Sequence, residues 1–166
     1  MELVSRILEG TLLSGGGEPP RRWFSGRVTQ DDRVQRLEEV PLLESCSRRQ
    51  LKAIAKISEV IEAPAGTVLA RVGDAGDAFY LLLDGAARVE VSARKRVRLG
   101  PGDYFGEMSL LDGGPRSATV VAETPVRLLA IRRRDFTTLL RSAADLTENL
   151  LATLSRRVRQ AEGALG

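Results

Sequence analysis

The chain has 166 residues, 43% hydrophobic and 28% charged, with a formal net charge of +3. That is ordinary for one globular domain with a full core and an attached segment, and no run approaches the roughly 20 apolar residues of a membrane span. Histidine is absent, which removes the usual general base and the commonest metal ligand. No acid cluster resembles a metal loop, so no catalytic residue, metal or cofactor is expected and an enzyme is disfavoured. The one cysteine, Cys46, forms no intramolecular disulfide, which suits the cytosol. The start "MELVSRILEGTLLSGGG" has an acid at position 2 and no basic run, so a secretory signal is not expected. The expected location is cytoplasmic.

Residues 1–13 have the spacing of a short amphipathic helix, with Leu3, Val4, Ile7 and Leu8 on one side. "SGGGEPPRR" reads as a linker with a stiff end. Residues 1–30 are therefore expected to be a flexible arm, and 31–162 the domain. From Asp31, helical spacing places Val34 and Leu37, then Leu51, Ile54 and Ala55, on buried faces. Pro41 separates the two helices, and Ser47 is the N-cap of the second.

From Ile57 the period changes. Short β-rich runs alternate with turns at Pro64–Gly66, Gly73–Asp77, Asp84-Gly85, Gly100–Gly102 and Asp112–Pro115. Turns about every ten residues predict a β-sandwich or small barrel. "ARVEVSARKRVRLG" reads as a hairpin, with Val89, Val91, Val97 and Leu99 on its inner face. After Ile131 the helical period returns over Asp135–Leu140. Leu146, Leu150, Leu154 and Val158 then recur every four residues along a helix over 145–161 that Gly163 ends. The arginines at 21–22, 132–134 and 156–159 read as solvated faces before they read as a patch for an anionic partner.

The stretch "YFGEMSLLDGGPRSATV" sets Glu107 and Arg116 nine positions apart among apolar residues. A strand is expected to end at Phe105 and another to start at Ser117. Gly106 lets a ligand or backbone approach closely. "EMSLL" is long enough for one helical turn, so the first N–H groups, around Met108 and Ser109, favour an anion. Arg116 is permanently charged and grips phosphate oxygens with its fork. The Ser117 hydroxyl and the Ala118 N–H add donors. Glu107 suits a neutral hydroxyl and repels phosphate. An ion pair between Glu107 and Arg116 explains the spacing equally well; the Gly-Glu start and Pro-Arg-Ser-Ala end together favour a compact nucleotide. No lysine follows the glycines, so this is not a Walker A loop.

"FGEMSLLDGGPRSATV" closely resembles the phosphate-binding cassette of cyclic-nucleotide-binding domains. "GDAGDAFYLLLDGAARVEV", "LGPGDYFGE" and "RLLAIRRRDFTTLL" resemble further parts of that family, over about residues 33–160. The resemblance implies a mainly β fold: a double-stranded β-helix or jelly-roll barrel with N-terminal helices and C-terminal B and C helices. It implies that Glu107 accepts from the ribose 2′-hydroxyl, that Arg116 and Ser117 hold the cyclic phosphate, and that the last helix closes over the base. Serine rather than threonine after Arg116 leans to cAMP ahead of cGMP. Candidate base contacts are Val89, Val91, Arg156, Arg157 and Arg159, although core packing explains the valines equally and an exposed helix face explains the arginines better. The family's DNA-reading helix-turn-helix is not present in these residues, nor is the proline many members carry between the last two helices. The expected function is a stand-alone cyclic nucleotide sensor acting on an effector protein or a second copy of itself. The alternative is a nucleotide-independent interaction module of the same fold.

Overall fold

The structure is a computed structural model that describes residues 24–92 and 94–165. The helix expected over 1–13 and the linker after it lie outside the described residues. The chain divides into two compact units, one holding residues 59–133 and the other residues 28–58 with 134–165.

In the helical unit, α1 (Gln30–Leu37) begins at Thr29, whose hydroxyl accepts from the Asp32 N–H while the Asp32 carboxylate accepts from the Thr29 N–H. A 3-10 helix, Pro41–Leu43, follows, with the proline at its first position, where a missing N–H costs least. Next, α2 (Arg48–Lys56) is capped by the expected Ser47, and Gln50 returns the bond to the Ser47 N–H at 2.9 Å. Two long helices close the unit's sequence, α4 (Arg133–Ser142) and α5 (Ala144–Leu165). Val34, Leu37, Leu42, Leu43, Leu51, Ile54, Leu146 and Leu150 are all buried. Each buried leucine contributes about 1.5–3 kcal/mol.

The β unit holds β1 (Ser58–Ala63), β2 (Val68–Ala70), β3 (Ala78–Asp84), β4 (Ala87–Ser92), β5 (Lys95–Leu99), β6 (Tyr104–Phe105), β7 (Thr119–Ala122) and β8 (Val126–Arg132). The described residues form two four-stranded sheets, ordered β1-β8-β3-β6 and β2-β7-β4-β5. The pairings β3–β8, β3–β6, β2–β7, β4–β7 and β4–β5 are antiparallel. Alternation along β3 sends Ala78, Tyr80 and Leu82 into one core with Ile61, Leu69, Val120, Ala122, Val126 and Leu128. One short helix, α3 (Ser109–Asp112), lies between β6 and β7. The jelly-roll-like expectation, two sheets flanked by helices at both ends of the sequence, agrees with this arrangement.

Three details differ from the sequence reading. The last helix runs through Gly163 to Leu165 rather than ending there. The strand after Arg116 begins at Thr119, two residues later than expected. Val97 pairs with Val89 as the alternation requires, yet it is 43% exposed because β5 is an edge strand with a neighbour on one side only. Among the described residues, no helix is long and apolar enough to cross a membrane.

Candidate functional site

The cassette is built from its backbone outwards. After Phe105 the chain reverses at Gly106, whose φ of +80° strains any residue with a Cβ. The single turn of α3 follows, with Ser109 N–H donating to Gly106 O at 3.0 Å and Leu111 N–H to Met108 O at 3.0 Å. Gly113 ends it in the left-handed region, and the Asp112 carboxylate holds the Gly114 N–H at 2.7 Å. Glu107 is buried at 8% exposure and Ser109 likewise, whereas Met108 is exposed.

The loop 73–77 fixes the other half. Arg116 N–H donates to Asp74 O at 2.8 Å, and Arg116 O accepts from Gly73 N–H at 2.9 Å. Gly76 N–H donates to Gly114 O at 2.9 Å. A Cβ on Gly76 would overlap the Ser109 hydroxyl and lie 2.7 Å from Gly114 O, so the loop and cassette meet too closely for any side chain there. Arg116 is thus held by its backbone on both sides before its side chain makes a bond.

The guanidinium is half-buried. Its Nη2 donates to the Ala78 carbonyl at 2.6 Å and its Nη1 to the Ser109 hydroxyl at 3.4 Å. Its central carbon lies 5.7 Å from the centroid of the Tyr80 ring. Burial lowers the Arg116 pKa, partly offset by Tyr80, and burial raises that of Tyr80, partly offset by Arg116. An arginine has five N–H donors, so Nε and a second hydrogen on each terminal nitrogen remain for a ligand. The N–H groups of Ser109, Leu110, Leu111 and Asp112 all donate to the carbonyls of Gly106, Glu107 and Met108, so the free N–H groups expected around Ser109 are closed within the turn itself, and the guanidinium is the group that can grip an oxyanion.

The cassette brings Gly106, Glu107, Met108, Ser109 and Arg116 into one short segment of structure. Ser117 is exposed and Ala118 half-buried, directly before β7. Val89 is half-buried and packs on the β-unit core; the Val91 side chain lies outside the described set. Arg156 has partners within the helical unit: the Ser45 hydroxyl, the Thr153 hydroxyl at 3.2 Å and Glu44 at 3.3 Å. Arg157 is half-buried and Arg159 exposed. Sequence reasoning missed Tyr80, Gly76 and the Ala78 carbonyl. Tyr80 sits in an apolar run that reads as core, Gly76 in a run that reads as a turn, and a carbonyl has no sequence signature.

The family model for the cyclic nucleotide-binding domain matches residues 60–143. The chain is 37% identical to a cyclic nucleotide-gated potassium channel of Mesorhizobium japonicum, over 93% of its own length and 46% of the channel's. It is 41% identical to a cAMP-dependent protein kinase regulatory subunit of Aspergillus niger, over 72% of its length and 31% of the relative's. Among solved structures, the N-terminal domain of a transcriptional regulator from Streptomyces coelicolor A3(2) matches with a TM-score of 0.70 at 29% identity, covering 79% of this chain and 95% of that one. The chain belongs to the cyclic nucleotide-binding domain family. It spans less than half the length of these two curated relatives.

Proposed function

We propose that the chain is a cyclic nucleotide sensor for cAMP ahead of cGMP, with residues 31–162 as its binding domain and no catalytic role. Arg116 and Ser117 hold the cyclic phosphate, the N–H groups of Met108 and Ala118 add donors, the Ser109 hydroxyl keeps the guanidinium in place, and Glu107 accepts from the ribose hydroxyl. Gly106 gives the ligand and Arg116 room. The signal passes through the terminal helices to an effector protein or a second copy of the chain. The observation that carries this reading is the anchored Arg116 fork, which keeps three N–H donors after bonding Ala78 O and Ser109 Oγ. The name of the Aspergillus relative, a cAMP-dependent regulatory subunit, supports the choice of cAMP.

Titration calorimetry with cAMP, cGMP and 5′-AMP tests it. Saturable binding is expected, with cAMP tightest and 5′-AMP weakest. Absence of heat with every nucleotide, on a chain shown to be folded, overturns the reading in favour of a nucleotide-independent interaction module.

A further inference from the structure

Tyr80 and Ala78 lie two apart on β3 and so share a face. Both meet the guanidinium of Arg116: Ala78 through its carbonyl and Tyr80 through its ring. The ring is itself braced. It is 4% exposed, its centroid is 5.1 Å from that of Phe105, and the same residue is its partner across the β3–β6 pairing. Ala130 on β8 faces it from the other neighbouring strand. A platform held by two strands offers the cation a fixed surface in a largely desolvated place, where such attraction is strongest.

We propose that Tyr80 is a positioning residue that holds the Arg116 guanidinium ready for the ligand phosphate. An unbraced arginine gives up side-chain freedom when ligand binds, and ordering it beforehand removes that cost from binding. The planar fork is also what makes a flat aromatic support useful; an ammonium gains less from it. The inference rests on the proposed role of Arg116 in binding cAMP.

The test is cAMP titration of the full chain with Tyr80→Phe, Tyr80→Leu and Tyr80→Met. Tyr80→Phe keeps the ring and is expected to bind like wild type. Tyr80→Leu is expected to weaken binding about tenfold. Tyr80→Met preserves bulk without an aromatic face, so it gives the same answer if the leucine variant does not fold. The readout that a purely packing role does not move is coupling: in an Arg116→Lys background the loss is expected to shrink below about threefold. An undiminished loss in that background, or Tyr80→Phe weakening binding as much as Tyr80→Leu, overturns the inference. So does wild-type affinity in Tyr80→Leu and Tyr80→Met while wild type binds cAMP. A folded wild-type chain that binds no cyclic nucleotide overturns the proposed function itself, and this inference with it.

Discussion

Gly106 and Arg116 share one space: a Cβ on Gly106 would overlap Nη1 of Arg116 and lie 2.7 Å from the Ala78 carbonyl that anchors it. Gly106→Ala therefore meets two penalties, a positive φ and a displaced guanidinium. Stability is expected to fall by about 1–2 kcal/mol, and cAMP affinity to fall as well. Gly66 separates the two effects, since its φ is +87° but nothing lies within 4 Å of a built Cβ. Gly66→Ala should lose stability and keep its affinity. Thermal unfolding and calorimetry on both variants check this, and equal affinity losses would remove the steric argument.

Arg116→Ala is expected to weaken cAMP binding about a hundredfold, because a phosphate charge is left unpaired in a partly buried site. Its bond to Ala78 O also goes, so stability should drop by about 1 kcal/mol. Glu107→Gln should cost less affinity, since an amide oxygen still accepts from a hydroxyl without charge assistance. Binding of 2′-deoxy-cAMP as tightly as cAMP would show that Glu107 does not read the ribose.

Ser117→Thr is expected to raise cGMP affinity relative to cAMP. The hydroxyl is retained and the added methyl restricts its rotamers, at an exposed position where the fold tolerates the change. Competition binding gives the ratio directly. An unchanged ratio removes the resemblance-based argument for Ser117 as the selector.

Much of this was legible from periodicity, because burying an apolar face leaves a spacing in the sequence. Val34, Leu37, Leu51, Ile54 and Ala55 are all buried as read, and Ser47 caps its helix through a bond that local spacing specifies. The misses share a cause, which is that spacing does not say what lies opposite. Val97 has the right alternation but stands on an edge strand. Gly163 reads as a stop, yet with open space around it and no positive φ it simply continues the helix, at a cost of about 1 kcal/mol. Arg116 was visible as a charge, while its anchors on β3 come from a segment 38 residues away along the chain.

Gln50 links the start of α2 to the first turns of α5. Its amide oxygen accepts from Asn149 at 2.9 Å and from the Ser47 N–H, and its amide nitrogen donates to Asp145 at 3.0 Å. That bond is the first cause holding the Asp145 carboxyl below its ordinary pKa, followed by the N–H of Leu146 and helped by Arg49. A depressed folded-state pKa gives stability that is present above the unfolded value, about 3.9, and lost as pH falls through the lower folded value. Wild type should therefore exceed Asp145→Asn in stability at pH 7, and the gap should close below about pH 4. Urea denaturation of both proteins at several pH values measures the gap, in which the other carboxylates cancel. A gap independent of pH would assign the effect to packing instead.

The last helix divides into two parts. Over its first half, Leu146, Leu150 and Thr153 are at most 3% exposed, and Thr153 and Arg156 both bond the Ser45 hydroxyl. Beyond that, Val158 is 56% exposed and residues 159–164 are exposed too. An isolated helical segment of that length is marginal in water, so the second half lacks what stabilises the first. The proposed lid is therefore the distal part, because the proximal part is packed within the helical unit. Hydrogen exchange in the free chain should be slow over 146–153 and fast over 157–164. Adding cAMP should slow only the distal stretch, since a ligand shifts an equilibrium only through contacts made in one of its states. Deleting 157–166 should weaken cAMP binding and leave the fold intact, whereas deleting 148–166 also removes Leu150 and Thr153 and should destabilise the helical unit. If exchange over 157–164 is unchanged at saturating cAMP, the distal helix is not a lid, and its exposed Val158, with Leu151 of the proximal half, is left to a second copy of the chain or an effector.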